Sequence, residues 1–520
     1  MILKNYFYIF FISFYSFLVN WFSGNIGLLP IDTFGFFDTG FSILNGKIPI
    51  RDYWAYTGIT VDYLQSIFFL FFGNKWSSYL LHSSLINVIT SLIFFTFLET
   101  FKIKKFYSVL YTIAFATLLY PVIGTPYAYL HAFSFSLIGL FLTTIAYLKD
   151  KNYIWSIIPV LFLFSFFSMQ TPTVYIFFVI FLFVLYCILV EKKLHILRYL
   201  IFGIFVSIFI FIIFLTLSKI SLKDLIYQYF LFPITIGESR LTSETFAYVR
   251  FSDQLNFKRL FGDFKFIHFF LIPVIVSLVF KFKKKSIDKN FIISLLITIS
   301  SFLFIFNQLM QANQIYIFAI IPVLAAVLHV NLISFKKKKL IYLILLTLIF
   351  ATIKFHIRYN IDRKFIDIEN KDKSISFNAS EIHENLSGLN WISAMSETES
   401  DRILINKALE VIKKDQSNIM MITHYQFFST IFNKDYNILN RWYFWDNNSH
   451  PTENHKYFDY YRKFATNKFN KENIETIYLL GLNDEFKFEN IKNYFVNKCF
   501  DEKVISESRF IKLTLRNCTK

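Results

Sequence analysis

Several features that are common in enzymes are missing from this sequence. It contains no glycine-rich phosphate loop of the Walker type and no dinucleotide-binding fingerprint, and its three cysteines and ten histidines show no zinc-ligand spacing. A nucleotide-binding site of the Rossmann type is therefore not expected. Charged residues are also nearly absent from the centres of the apolar runs, which argues against energy-coupled transport.

What the sequence does contain is a series of long apolar runs. Hydrophobic residues make up 55% of the 520-residue chain, which excludes a soluble globule. The first run, 2–22, has no small-residue cleavage site and is interpreted as a retained helix. Runs of membrane-crossing length predict eleven transmembrane helices, at 4–22, 77–99, 106–120, 131–148, 153–168, 173–190, 198–218, 266–281, 290–306, 314–333 and 340–357.

Basic residues occupy alternate gaps between these runs. They cluster near residues 102–105, 149–151, 192–193, 281–285 and 336–339, and the gaps at 121–130, 169–172 and 307–313 contain none. Because cytoplasmic loops collect Lys and Arg, the pattern predicts a multi-pass protein of the cell (inner) membrane with a cytoplasmic N-terminus. The loops 23–76 and 219–265 and everything after the last span are then extracytoplasmic.

The net charge of +17 follows the same topology. Residues 1–359 contain 30 basic and 13 acidic side chains, and the remainder contains 23 of each. The excess positive charge therefore lies in the membrane part, where it sets orientation, and nucleic acid is not an expected partner.

The sequence divides at about residue 358. Residues 1–358 form the predicted transmembrane domain, within which the apolar segment 62–72 is too short to span and predicts an interfacial or re-entrant helix. Residues 359–520 predict an extracytoplasmic α/β domain, with strands at 418–423 and 474–480 and helices at 400–414 and 454–469. In an oxidising compartment Cys499 and Cys518 could form a disulfide or remain buried thiols, and Cys187 is expected only to pack.

Four aspartates stand out in the first external loop: Asp32, Asp38, Asp52 and Asp62. Loops tolerate charge, so a solvated loop is one interpretation. The other is a cluster at the membrane surface that binds a cation or removes a proton from a substrate. Gly46-Lys47-Ile48-Pro49 is typical of a turn, and Arg51-Asp52-Tyr53-Trp54 places a charged pair beside rings that favour the membrane interface.

This combination of an acid-bearing loop, the sequence GKIPIRDYW and a short apolar helix ending in Phe71-Phe72-Gly73 resembles the GT-C membrane glycosyltransferases. It is most similar to the branch with lipid A aminoarabinose transferases and protein O-mannosyltransferases. Ser168-Met169-Gln170-Thr171-Pro172 is a second, weaker likeness. The resemblance implies a polyprenyl-phosphate sugar donor, an essential acid in the first external loop and, in some members, a divalent cation such as Mg²⁺ or Mn²⁺.

The resemblance assigns roles to particular residues. Asp32 lies where the family's Asp-Glu pair begins, although here it follows Ile31 alone, and Asp38 lies where a further acid is often found. Relatives often carry a second charged residue after the aromatic residue. Here the chain reads Trp54-Ala55-Tyr56-Thr57, without a charge, which leaves Asp52 or Asp62 to take the place of that residue. Asp32, Asp38 and Asp52 are thus the candidate catalytic residues, and Asp32, Asp38 and His131 the candidate metal ligands.

Transfer from a polyprenyl phosphate needs a carboxylate to take the acceptor's proton and a cation to stabilise the departing phosphate. Arg240 and Arg250 are candidates for phosphate contact, since the guanidinium fork matches phosphate oxygens. Solvated loop charge is the competing explanation for each. Further candidate substrate-binding residues are Arg51, Asp62, His131 and Glu238; His131 could instead be an interfacial histidine that hydrogen-bonds backbone.

The sequence thus predicts a polytopic α-helical membrane protein with a C-terminal extracytoplasmic α/β domain. The function that it favours is transfer of a sugar from a polyprenyl-phosphate carrier to a glycan, lipid or protein acceptor outside the cytoplasm. The expected partners are that donor, the acceptor and membrane lipids. A surface-polysaccharide polymerase or ligase is one alternative, and a lipid-linked glycan flippase or other transporter is another.

Overall fold

A computed structural model describes residues 2–242, 256–311, 316–363, 368, 370–483, 486–506 and 508–518. Most of these residues are helical. The α-helices of the first 363 residues are α1 (Ile2–Gly24), α2 (Pro30–Thr33), α3 (Gly35–Leu44), α4 (Ile59–Phe72), α5 (Trp76–Thr100), α6 (Lys105–Leu118), α7 (Ala128–Lys149), α8 (Ile157–Ser168), α9 (Gln170–Leu189), α10 (His195–Ser218), α11 (Leu222–Leu225), α12 (Phe232–Thr242), α13 (Lys265–Lys283), α14 (Lys289–Met310), α15 (Ile320–Ser334) and α16 (Leu340–Phe355).

Within the described ranges, eight helices are long and apolar enough to cross a membrane, namely Tyr6–Gly24 of α1, together with α5, α7, α9, α10, α13, α14 and the run Leu340–Asp362 that begins with α16. A polytopic helical membrane protein was the predicted class, and this architecture agrees with it. Three of the eleven predicted spans coincide with shorter apolar helices, at Lys105–Leu118, Asn152–Ser168 and Ile320–Ser334. The segment predicted to be re-entrant is also a short helix, α4, of only 14 residues.

Burial separates the helices that line the core from those that face lipid. The hydrophobic window of α7 is 89% buried inside the protein, whereas that of α10 is 6% buried. A helix whose apolar side chains point outward all round needs an apolar solvent. We therefore place α7 at the centre of the bundle and α10 at its lipid-facing edge.

The C-terminal part contains a four-stranded sheet in the order β3-β4-β6-β5, with β3 parallel to β4 and the other pairs antiparallel. Its elements are β1 (Phe377–Asn378), β2 (Asn390–Trp391), α17 (Thr398–Lys414), β3 (Ile419–Thr423), α18 (Phe428–Phe432), α19 (Phe458–Lys471), β4 (Thr476–Leu480), β5 (Cys499–Ser506) and β6 (Phe510–Arg516). The two predicted strands and two predicted helices are present, within a few residues of the expected bounds. Cys499 and Cys518 form a disulfide that closes the last hairpin.

Alternate residues of the buried strand β3 enter two different cores. Met421 packs with α17 on one face of the sheet, and Met420 and Ile422 pack with α19 on the other. Successive side chains of a strand point to opposite faces, so an all-apolar strand is what a sheet covered on both faces requires. The α17 core continues into the first loop, where it includes Phe34 and Phe37, so the two parts of the chain share one hydrophobic core.

Candidate functional site

The loop between α1 and α5 is attached to the C-terminal domain by backbone hydrogen bonds. The amide of Leu28 donates to the carbonyl of Ile392 at 2.9 Å, and the amide of Trp54 donates to the carbonyl of Leu439 at 2.9 Å. Gly27 has φ +61, and a Cβ there would lie 3.2 Å from the Ile392 carbonyl oxygen, so glycine permits this close approach. Both stretches that flank the loop aspartates are therefore fixed against residues about 360 or more positions later.

Asp38 connects α3 to the C-terminal domain. Its Oδ1 accepts hydrogen bonds from the amide of Thr430 at 2.8 Å and from the hydroxyl of Thr430 at 2.7 Å. Burial raises the pKa of Asp38 to about 6, and the bonds from Thr430 oppose that shift. The predicted catalytic carboxylate therefore has a docking role: it attaches α3 to the C-terminal domain, and the oxygen that accepts these bonds is already occupied.

Asp52 makes a second connection of the same kind. It pairs with Arg51 at 2.5 Å and with Lys471 of α19 at 2.9 Å, and its Oδ2 accepts the amide of Ile48 at 2.9 Å. Burial alone would raise the pKa of Asp52. The hydrogen bonds from Arg51, Ile48 and Lys471 outweigh that effect and lower the pKa to about 2. A carboxylate held in its ionised form by two cations is a poor proton acceptor at neutral pH.

Asp62 forms the third connection, with Arg441, and both side chains are completely buried. Asp62 also accepts hydrogen bonds from the hydroxyls of Thr39 at 2.5 Å and Tyr53 at 3.0 Å. The guanidinium of Arg441 donates in addition to the carbonyl of Thr57 and lies 4.8 Å from the centre of the Phe36 ring. Asp62 therefore neutralises a buried cation and is not positioned as a free substrate ligand.

The Asp38 contact leads to a first prediction. Asp38→Leu should lower the free energy of unfolding by about 1–3 kcal/mol, because it leaves the two buried donors of Thr430 without an acceptor. Unfolding of the purified protein in detergent, followed by intrinsic fluorescence against denaturant, would measure the change. Asp38→Asn keeps an acceptor oxygen and should lose clearly less; equal losses for the two variants would contradict the docking role.

Asp32 differs from the other three aspartates. It lies in the short helix α2, half-buried, and no side chain or amide within the described ranges donates a hydrogen bond to its carboxylate or forms an ion pair with it. Burial raises the pKa of Asp32 to about 7. A carboxyl group poised near neutrality can both accept and release a proton, as a general base must.

Electrostatic contacts identify the neighbours of Asp32. Burial raises the pKa values of both Tyr56 and Tyr127, and the negative charge of Asp32 adds to each shift. Arg240 is a further neighbour of Tyr56, since its positive charge acts on the Tyr56 phenol and opposes the rise in its pKa. The ring of Trp442 lies 5.9 Å from the ring of Tyr56, centre to centre. We call these five residues the Asp32 cluster: Asp32, Tyr56, Tyr127, Arg240 and Trp442.

Several elements hold this cluster in place. The side-chain amide of Gln170 donates to the carbonyl of Tyr56 at 2.8 Å, and the ring of Phe232 lies 5.5 Å from the Tyr56 ring. The hydroxyl of Tyr79 donates to the carbonyl of Thr33 at 2.8 Å and so fixes α2. The cluster therefore draws on the first loop, on Tyr127 before α7, on α12 and on the C-terminal domain, and Gln170 of α9 supports it.

Four other predicted residues lie apart from the Asp32 cluster or are already engaged. His131 is fully buried; its Nε2 lies 2.9 Å from Nε2 of His82 and its Nδ1 2.6 Å from the Tyr120 hydroxyl. Glu238 is exposed and pairs with Lys456 at 3.3 Å. Arg51 donates to Asp52 and to two backbone carbonyls. Arg250 lies outside the described residues.

The predicted metal ligands do not converge. Asp38 is bonded to Thr430, His131 to His82 and Tyr120, and neither is brought to Asp32. In the part of the chain that the structure describes, no three His, Cys, Asp or Glu side chains are grouped so that they could hold a metal ion. These residues therefore do not fit the divalent cation that the resemblance allows.

Sequence reasoning did not assign roles to Tyr56 or Tyr127, and it interpreted Trp442 only as part of the aromatic run 441–445, either a sugar-facing patch or, more commonly, core. Each lies in an aromatic stretch, and such stretches usually pack in cores. What marks these three is that Asp32 and Arg240 act on Tyr56 and Tyr127 and that Trp442 lies against Tyr56. The sequence does not show these contacts, since Trp442 is 410 positions from Asp32. The aromatic run 441–445 was the only available signal.

Comparisons with known proteins do not add to this description. No protein-family model matches the sequence, and no curated protein is significantly similar to it.

Proposed function

We propose that this protein is an integral membrane glycosyltransferase that uses a polyprenyl-phosphate sugar and acts on the extracytoplasmic face. The observation that carries the proposal is the carboxylate of Asp32, which has no hydrogen-bond partner among the described residues, is half-buried and has a pKa raised to about 7. Asp32 neighbours Tyr56 and Tyr127, and Arg240 acts on the same two phenols. Acid, cation and aromatic surface are the groups that transfer of a phosphate-linked sugar needs.

The chemistry follows from these groups. The acceptor hydroxyl would attack the anomeric carbon while Asp32 takes its proton. The bond from that carbon to the carrier phosphate would break with its electron pair, and the phosphate oxygen would gain negative charge. Arg240 supplies the positive charge that stabilises it.

An apolar groove supports a lipid-linked donor. The groove has a volume of about 190 Å³ and lies between α4, α8 and α10, lined by residues that include Tyr63, Ile67, Phe167 and Phe214. Ile59, the first residue of α4, also lines the groove, so the groove adjoins the end of the loop that contains Asp32 and Tyr56. A polyprenyl chain needs such an apolar surface, whereas a soluble nucleotide donor does not.

The test is reconstitution of the purified full-length protein in liposomes with radiolabelled polyprenyl-phosphate sugars, in the presence of candidate acceptors. Release of carrier phosphate that requires the protein would support a transferase. Export or exchange of intact lipid-linked sugar without release would instead identify a flippase. Release that occurs only from carriers bearing oligosaccharides of varied length would identify a polymerase or ligase.

Arg240 gives a second prediction, in the same assay. Arg240→Gln should raise the KM for the polyprenyl-phosphate sugar roughly 10- to 100-fold, since a hydrogen bond to a charged group contributes about 1.5–3 kcal/mol. Arg240→Lys should recover part of the loss, because it restores the charge without the fork. Arg402→Gln is the matched control, as Arg402 is an exposed arginine that pairs with Glu399. An unchanged KM in Arg240→Gln would remove Arg240 from the donor site.

A further inference from the structure

A polar cavity lies in the C-terminal domain, beyond the carboxyl ends of its two parallel strands. It has a volume of about 320 Å³ and is lined by residues that include Lys371, Glu397, Ser400, Leu482 and Arg509. Leu482 follows β4 and Arg509 precedes β6, and these two strands pair at this end of the sheet. Open α/β sheets bind their ligands at the carboxyl ends of parallel strands, and this volume is enough for a small molecule.

Arg509 is held rigidly in the wall of this cavity. Its guanidinium donates to Oδ1 of Asp401 at 2.8 Å and to the hydroxyls of Ser400 at 3.0 Å and Tyr425 at 3.2 Å. Its Nε also donates to the carbonyl of Gly481 at 3.3 Å. A guanidinium has five N–H groups, so these bonds leave one Nη1 hydrogen for a ligand.

Lys371 and Glu397 supply a second charged pair in the same wall. Nζ of Lys371 lies 2.9 Å from Oε1 of Glu397, whose side chain is 75% exposed. Glu397 precedes α17 without capping it, and within the described ranges its Oε2 accepts no hydrogen bond. The Ser400 hydroxyl accepts the bond from Arg509 and donates to no acceptor in the same ranges. The cavity thus offers both donors and acceptors to a ligand.

The charges of the wall cancel. Arg509 pairs with Asp401, and Lys371 pairs with Glu397. An anion is not favoured because no net positive charge remains, and an apolar ligand would leave the polar wall without hydrogen bonds. A ligand rich in hydroxyl groups suits this wall, since each hydroxyl can donate to a carboxylate and accept from an N–H group. The cavity therefore fits a neutral sugar.

The segment 390–397 joins this cavity to Asp32. Its first part bonds to the first loop, where the amide of Leu28 donates to the carbonyl of Ile392 at 2.9 Å. Its last four residues line the cavity. Leu28 lies two residues before α2, the helix that contains Asp32. A ligand in the cavity would therefore contact the same segment that fixes the approach to the proposed base.

We propose that the cavity binds a neutral sugar unit of the acceptor, so that the acceptor is a glycan rather than a lipid or a protein side chain. This inference rests on the proposed function, since it takes the bound sugar to belong to the acceptor. Asp32 does not line the cavity, so the unit bound here is distinct from the unit that reacts, and the acceptor is an oligosaccharide. Binding a unit that does not react lowers the KM for the acceptor.

The experiment measures sugar binding directly, by saturation-transfer NMR on the full-length protein in nanodiscs with maltose, cellobiose and lactose as probes. Glu397→Gln keeps the size of the side chain and removes the charge that accepts sugar hydroxyls. We expect it to weaken binding of the disaccharide that wild type prefers about 10-fold. Ala394→Phe places a ring in the cavity and should abolish that binding.

Glu410→Gln is the matched control, since Glu410 is an exposed acid of α17 that pairs with Lys414 at 2.8 Å. It makes the same change of charge and should bind the disaccharide as wild type does. With a glycan acceptor that contains the preferred sugar, Glu397→Gln should also raise the acceptor KM about 10-fold and leave the KM for the carrier sugar unchanged.

Two results would overturn the sugar site and leave the transferase in place. One is equal binding by wild type, Glu397→Gln and Ala394→Phe, and the other is no binding of any of the three probes by wild type. A different result would overturn the proposed function alone: disaccharide binding that Ala394→Phe abolishes, in a wild type that releases no carrier phosphate, would keep the cavity as a sugar site.

Discussion

Replacing Asp32 with Asn should abolish sugar transfer, lowering kcat at least about 100- to 10,000-fold, the range that a positioned general base contributes. The substitution keeps the size and shape of the side chain and removes only its ability to take a proton. Release of carrier phosphate from reconstituted protein measures the effect.

Asp38→Asn and Asp52→Asn are the matched controls, because they make the same change in the same loop. Their carboxylates are bonded to Thr430 and to Arg51 and Lys471, so these variants should keep turnover within a few-fold of wild type after correction for folded protein. If Asp32→Asn retained activity while Asp38→Asn or Asp52→Asn lost it, the assignment of the base would be wrong.

The same assignment predicts the pH profile of wild type. The base works only when it is ionised, and the pKa of Asp32 is raised to about 7. Below that pH the ionised fraction falls tenfold per unit, so kcat should fall with unit slope in acid and level off above about pH 8. A profile that stayed flat from pH 5 to 8 would contradict Asp32 as the base.

Asp32→Asn should raise the free energy of unfolding although it abolishes activity. A carboxyl group whose folded-state pKa lies above its unfolded value costs stability wherever the unfolded group is ionised, a cost that is complete above pH 7 and absent below about pH 4. Removing the charge should stabilise the protein at pH 8 by about 1–2 kcal/mol, after discounting for partial solvent access. Lost activity with raised stability separates a catalytic residue from a structural one.

Breaking the Asp62–Arg441 pair should have the largest effect on stability. Asp62→Asn leaves the guanidinium buried without its counter-ion, which costs about 3–5 kcal/mol. Chemical unfolding in detergent would measure the loss, and limited proteolysis would detect release of the C-terminal domain from the first loop.

The control for this variant is Asp459→Asn, which breaks an exposed ion pair with Arg462 on the same domain. An exposed pair contributes at most about 1 kcal/mol, so this variant should unfold almost as wild type does. The double variant Asp62→Asn/Arg441→Gln should lose less than the sum of the single variants, since it leaves no unpaired charge. Additive losses would show that the two side chains do not depend on each other.

Hydropathy located the long apolar helices because a helix that crosses lipid must be apolar over about 20 consecutive residues. It also located α6, the α8 region and α15, which are apolar helices shorter than a full crossing, so for these three the prediction of a membrane span stays a prediction. The strands β3 and β4 were also predictable, since each is a continuous apolar run bounded by polar residues. These are local properties, and each can be seen in a single window of sequence.

The roles of the four aspartates could not be predicted in that way. Asp38, Asp52 and Asp62 have partners 379 to 419 positions away, and nothing near them in sequence reveals those partners. Asp32 was singled out by resemblance, but what distinguishes it physically is the lack of a bonded partner among the described residues. Only the folded arrangement separates an acid that docks a domain from one left open to react.

The position of the docking partners has a consequence for how the protein is made. Thr430, Arg441 and Lys471 are synthesised after all the apolar helices, so for most of translation the first loop holds acids whose partners do not yet exist. A chain truncated before residue 430 would keep every apolar helix yet lack Trp442 and leave Asp38 and Asp62 unpaired. Completion of the last third of the chain therefore supplies the partners that fix the first loop and adds the last member of the Asp32 cluster.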